Sequence, residues 1–206
     1  MQDLFTEEAI KHNVFPLDDR SFERFNAAIA GRPDLMGDRK SLTLYEGMTS
    51  IMENAFINVK NRSHAITAEV EVPQGGGEGV ILCQGGRFAG WSLFMKDGKA
   101  SYVYNWFGKE RYTIASTDTL PSGKATIQFE FSYEGGEKTG AGGTGKLSIN
   151  GKKVAEGQIE NTVSSIFSAD ETADVGLDSA TPVTEDYKER HNEFNGKIVK
   201  VTVELK

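Results

Sequence analysis

The chain has 206 residues, 38% of them hydrophobic, and a formal net charge of -7. That length accommodates one β-type domain, with or without an appendage, and a sizeable core. The acidic balance argues against a nucleic-acid backbone or an anionic membrane as the main partner, since both favour a basic surface, and the single cysteine, Cys83, excludes an internal disulfide framework. No apolar run reaches membrane-spanning length, and no charged segment followed by an apolar one opens the chain. The compartment stays open between bacterial cytoplasm and periplasm.

In chain order, Leu4, Phe5, Ala9 and Ile10 fall near one face at helical spacing. Thr6 is the candidate N-cap, with Glu7 and Glu8 in the first turn. Asn13 can stop this helix and Pro16 cannot continue it. A second short helix is expected around Ser21 to Ala30, ended by Gly31 and Pro33. Residues 1–36 therefore read as a helical and extended connector, and residues 37–206 as a separate β domain.

Beyond the connector the hydrophobic period becomes two. Ile66, Ala68, Val70 and Val72 alternate with polar residues, as do Ile127, Phe129 and Phe131, and Val199, Val201, Val203 and Leu205. Each pattern describes a half-buried strand with one wet face. Ile127, Phe129, Phe131, Val201 and Val203 are the expected core. Asp97-Gly98, Asn150-Gly151, Asn195-Gly196 and Gly75 to Gly77 mark turns, because Asp-Gly and Asn-Gly supply the positive φ of tight hairpins. The run Gly90 to Lys99 followed by Tyr102-Val103-Tyr104 reads as a hairpin and resembles one common in laminin-G-like and concanavalin-like jelly rolls. The expected fold is all-β: an antiparallel two-sheet β-sandwich of that jelly-roll type, preceded by the short connector.

Several separated stretches resemble the C-terminal part of long microbial arylsulfatases. They include Asn13 to Arg20, Gly31 to Gly37, Leu42 to Met48, Asn58 to His64, Gln84 to Phe88, Tyr104-Asn105-Trp106 and Pro182 to Arg190. Their order along nearly the whole chain is shared with that family. The resemblance implies that these stretches follow an α/β catalytic domain, which would hold the formylglycine nucleophile, the calcium and the sulfate-holding basic groups. That domain is then the first expected partner. No catalytic residue, metal ligand or cofactor is assigned to this chain. Sulfatases make formylglycine from Cys-x-Pro/Ala-x-Arg. Here Arg87 stands four residues after Cys83, in the motif's Arg position, but Gly85 stands where Pro or Ala is required, so the motif is incomplete.

The remaining motifs read mostly as structure. Gly140 to Lys146 matches a phosphate loop until Leu147 replaces the Ser or Thr that would hold magnesium, so a flexible hairpin loop is expected. His12, His64 and His191 are scattered without metal-ligand spacing. Asp170, Glu171, Asp174, Asp178, Glu185 and Asp186 offer oxygen atoms to a structural calcium, but without an EF-hand spacing, and are read as a solvated loop. Glu69 and Glu71 share a strand face, and Asn61-Arg62-Ser63 is a glycosylation sequon by pattern only. The most function-like cluster is Arg87, Trp91, Tyr104, Asn105, Trp106, Arg111 and Tyr112, because aromatic faces stack on sugars while Arg and Asn bond hydroxyls, carboxylates or sulfates. Large aromatics on strands are more often core, so packing is the favoured reading of this cluster. The leading expectation is an accessory, non-catalytic domain of an arylsulfatase-like enzyme that packs on the catalytic domain, shapes access to its active site or mediates homo-oligomerisation. The alternative is a carbohydrate-binding module for a sulfated glycan.

Overall fold

A computed structural model describes residues 1–17, 33 and 35–206 and divides the chain into two compact units, Met1–Leu35 and Met36–Lys206. In the first unit a helix, α1, spans Gln2–Lys11. Met1 precedes it without a side-chain cap, so Thr6 is not the N-cap. It lies inside the helix and its hydroxyl donates back to the Gln2 carbonyl at 3.0 Å. Asn13 ends the segment in the left-handed region, φ 54°, a conformation Asn tolerates better than most residues. Of the apolar side chains expected on one face, Ala9 is buried whereas Leu4, Phe5 and Ile10 are exposed. The helix expected around Ser21 to Ala30 lies outside the described residues.

The second unit is an antiparallel two-sheet sandwich with jelly-roll architecture. Its strands are β1 (Ser41–Leu44), β2 (His64–Val72), β3 (Gly79–Gly85), β4 (Gly90–Lys96), β5 (Lys99–Trp106), β6 (Glu110–Ala115), β7 (Gly123–Tyr133), β8 (Ala141–Ile149), β9 (Lys152–Asn161), β10 (Ala173–Val175) and β11 (Lys197–Leu205), with a short 3-10 turn at Glu53–Ala55. The first sheet has six strands in the order β1-β11-β2-β7-β8-β9, and the second has five in the order β10-β3-β4-β5-β6.

Alternation places the six-stranded sheet's apolar residues inward. Ile66, Ala68, Val70, Val72, Ile127, Phe129, Phe131, Val201 and Val203 are all buried. One strand departs from its pattern. A register shift between Ile198 and Lys200 turns Val199 outward and puts Ile198 in the core instead. The outer face of this sheet is polar and paired, with Lys200 bonded to Glu69 and both Lys146 and Lys206 bonded to Glu130.

The glycine-rich stretch from Gly140 is not a flexible loop. It forms most of β8, paired on both sides. Gly145 lies on the inner face, where an added Cβ would fall 2.5 Å from Ile114 Cδ1 and 2.9 Å from the Phe129 ring. The missing side chain is what lets those groups fill the space. Asp97-Gly98 and Asn150-Gly151 do make tight hairpin turns, with positive φ at both residues. Asn195-Gly196 does not. It precedes β11, where Asn195 bonds the Glu78 amide and the Gly76 carbonyl.

Apart from its edge strand β6, the five-stranded sheet is buried on both faces. Its inner face gives Leu82, Trp91, Leu93, Met95 and Tyr102 to the main core. Its outer face carries Val80, Cys83, Phe94 and Val103, and the chain's own segment from 176 to 195 covers it through Val183 and Tyr187. The Tyr187 ring packs edge-on against Phe94 at 5.3 Å, and Lys96 pairs with Asp186. Between the sheets, the Tyr102 ring stacks on Phe129 with centroids 3.5 Å apart and planes 8° from parallel. Phe129→Ala removes this contact from a close-packed interior and is expected to cost about 3–5 kcal/mol in urea unfolding. Unchanged melting of that variant would show that the two sheets do not pack here.

Candidate functional site

The structure separates the aromatic cluster singled out by sequence into an interior and an edge. Trp91 is fully buried and its indole N–H donates to Gln84 Oε1 at 3.2 Å. Tyr104 is buried and its hydroxyl accepts the Val163 amide at 2.8 Å. Tyr112 is half-buried between Glu110 and Asn161. Trp106 is half-buried at the end of β5 against the main core. Arg111 donates to the Val183 carbonyl and pairs with Glu185 at 2.9 Å, so it holds the covering segment down. Arg87 is exposed in the β3–β4 turn.

Asn105 organises the edge. It is fully buried, and its Nδ2 donates to the carbonyls of Gly86 (2.9 Å) and Arg87 (2.8 Å), while its Oδ1 accepts the Gly108 amide (2.9 Å). One side chain therefore binds the β3–β4 turn to the β5–β6 turn. The second turn is Trp106-Phe107-Gly108-Lys109, closed by the Lys109 amide on the Trp106 carbonyl at 3.0 Å. Phe107 has φ 52° and Gly108 φ 66°, the pattern seen at Asp97-Gly98 and Asn150-Gly151. Phe107 thus takes, in a three-residue loop, the left-handed conformation that Asp97 and Asn150 take in two-residue hairpins. A left-handed conformation costs an ordinary L-residue roughly 1–2 kcal/mol.

Sequence reading missed Phe88 and Phe107, whose relative exposures are 72% and 48%. Phe107 contacts Trp106 edge-on at 5.7 Å, and the Lys109 ammonium lies over the Trp106 ring at 5.7 Å. The available signal was Phe-Gly-Lys, a three-residue loop containing Gly, placed between two apolar-rich runs.

The acidic loop is tied into the fold by its carboxylates. Glu171 accepts from Thr181, Asp174 accepts the Ser50 amide and Ser179, and Asp178 Oδ2 accepts the Val183 amide and the Tyr187 hydroxyl. Asp178 is buried with Asp174 and Glu171 nearby, and burial raises its pKa to about 6. His64 is buried in the main sandwich and burial lowers its pKa to about 4. Cys83 is fully buried and burial pushes its thiol well up, which leaves it without thiolate character.

No protein-family model matches the chain, and no curated protein matches it. Its fold is similar to that of the CBM40 of the Ruminococcus gnavus IT-sialidase bound to alpha2,3 sialyllactose, with TM-score 0.51 and 14% identity over 81% of this chain and 89% of that one. It is also similar to domain 4 of AbnA, a GH43 extracellular arabinanase from Geobacillus stearothermophilus in complex with arabinotriose (0.49; 15%; 80% and 66%). Mouse laminin alpha1 domains LG4-5 give 0.44 at 11% identity over 83% and 40%. At 14% identity the CBM40 match shows the shared fold.

Two expectations follow from this geometry. Asn105→Ala leaves two carbonyls and one amide without their partner and is expected to lower stability by about 2–3 kcal/mol, whereas Phe107→Asn relieves a left-handed aromatic residue and stays within about 1 kcal/mol of the wild type in the same denaturant titration. The second concerns pH. The folded His64 pKa is depressed, so its stabilisation is present above the unfolded value of 6.5 and is lost as pH falls towards about 4. The folded Asp178 pKa is raised, so its contribution runs the other way, greatest below 3.8 and lost as pH rises through about 6. Asp178→Asn removes the opposing contribution. Its stability should fall more steeply than the wild type's between pH 6 and 4, and a parallel or shallower fall would contradict the assignment.

Proposed function

We propose that the chain is an accessory β-sandwich module of a sulfatase-type enzyme, packing on a catalytic domain and not itself cleaving sulfate esters. The observation that carries this reading is the exposed apolar surface among the first unit's described residues. Within its described residues Leu4, Phe5, Ile10, Val14, Phe15 and Leu17 are all exposed. Burying one such side chain is worth about 1.5–3 kcal/mol, which favours a covering surface. One sheet's outer face is ion-paired and the other's is covered by the 176–195 segment. The sulfatase identity of the parent rests on the ordered resemblance along the sequence. Cys83, buried and lacking the modification motif, supports a non-catalytic role for this chain.

The deciding observation is the coding sequence upstream of Gln2, where a sulfatase domain with a Cys-x-Pro/Ala-x-Arg motif is expected and any other enzyme class would sink the proposal. In solution, residues 2–12 of the isolated chain should exchange amide hydrogens rapidly in a dilute, monomeric sample. Joined to the catalytic domain, the same residues should be protected. The isolated chain should release no phenol from an aryl sulfate above the buffer rate, with or without calcium.

A further inference from the structure

We propose that the edge formed by the β3–β4 and β5–β6 turns is a surface site for an acidic saccharide. Phe88 and Phe107 would receive the apolar faces of sugar rings, and Arg87 and Lys109 a carboxylate or sulfate. This site is separate from the packing role proposed above and does not depend on it.

Four observations converge on these residues. Phe88 and Phe107 are exposed to 72% and 48%, although each sits on a turn fixed to its neighbour by the buried Asn105. The site is therefore held in place before a ligand arrives, which lowers the ordering cost of binding. Phe107 adopts a left-handed backbone conformation that favours Asn, Asp or Gly, the one Asp97 and Asn150 take in this chain's two-residue hairpins. Folding alone gives no reason for an aromatic residue at that position, and a backbone outlier of this kind is a pointer to function. Finally, no carboxylate of the described residues pairs with Arg87 or Lys109, while Arg111 beside them is bound to Glu185. Two unpaired cations flank two exposed aromatic rings on a chain of net charge -7.

The combination fits a saccharide better than other partners. A single sugar ring covers one aromatic face, whereas a stable protein interface buries roughly 800 Å² on each side and two phenylalanines supply only part of that. A nucleic acid presents a phosphate at every residue, which the overall acidic surface would repel. A saccharide with a spaced negative charge meets the local cations without that penalty. Lys109 is held over the Trp106 ring at 5.7 Å, which keeps its charge beside Phe107.

Calorimetric titration of the intact chain tests this with two matched pairs: a hyaluronan oligosaccharide, which carries a carboxylate on alternate sugars, against its methyl ester, and a galactan oligosaccharide sulfated on alternate sugars against its desulfated form. The acidic member of at least one pair is expected to bind, at least about tenfold tighter than its neutral partner, and to weaken as salt is raised. The responding pair identifies the anion as carboxylate or sulfate. Phe107→Asn, expected to keep its stability, and Phe88→Ser should each weaken binding by about tenfold. Arg87→Gln combined with Lys109→Gln should remove the preference for the acidic member while any residual stacking affinity remains. Absence of binding to both acidic probes overturns the proposal, as does equal affinity for charged and neutral partners. Full affinity in folded Phe107→Asn would also overturn it. None of these outcomes bears on the first unit's exchange behaviour, so the packing role stands or falls on its own test.

Discussion

A β-sheet has two faces, and in the five-stranded sheet both are taken. The inner face joins the main core through Trp91, Leu93 and Tyr102, and the outer face lies under the chain's own 176–195 segment through Phe94, Val103, Val183 and Tyr187. This double burial constrains most of what surrounds it. Strands β3 and β4 are buried almost throughout, rather than at alternate residues. The covering segment needs anchors, and the acidic side chains of the 171–186 region supply them by accepting backbone amides and hydroxyls. With one outer face covered and the other laced with ion pairs, the exposed aromatic residues of this sheet lie at its end.

At that end a single buried amide replaces a network. Asn105 presents two donors and an acceptor, and its neighbours offer two carbonyls and one amide, so all its principal valences are met without water. The same side chain could have been read as a ligand contact from sequence, since amides bond sugar hydroxyls equally well. Its burial gives it a positioning role instead. The groups left facing outward are its neighbours Arg87, Phe88 and Phe107, which it fixes through their backbones.

The strand patterns of β2 and β7 were legible because a one-sided strand must alternate, and their wet faces carry Glu69, Glu71, Gln128 and Glu130. The β11 pattern was legible except at its start. A bulge conserves composition but reverses facing, and nothing in Ile198-Val199 distinguishes the two candidates before the partner strand is known. The glycine-rich stretch of β8 misled for a related reason. Glycine signals flexibility locally, but opposite Phe129 and Phe131 it signals room for a neighbour's ring. The N-cap assignment of Thr6 failed because Ser and Thr also bond back within a helix.

What the sequence determined by itself was the all-β class, the inward residues of β2 and β7 and the hairpins at Asp97-Gly98 and Asn150-Gly151, all of which follow from local period and local backbone preference. Tertiary structure decided which aromatic residues are available to a ligand. Trp91 and Tyr104 look as suitable as Phe88 and Phe107 in one dimension, yet the first two close the interior and the second two stand on turns. The reason is physical. Facing along a strand is fixed by period two, but whether a face meets solvent depends on chain returning from nearly a hundred residues away, as Val183 and Tyr187 do over Val103 and Phe94.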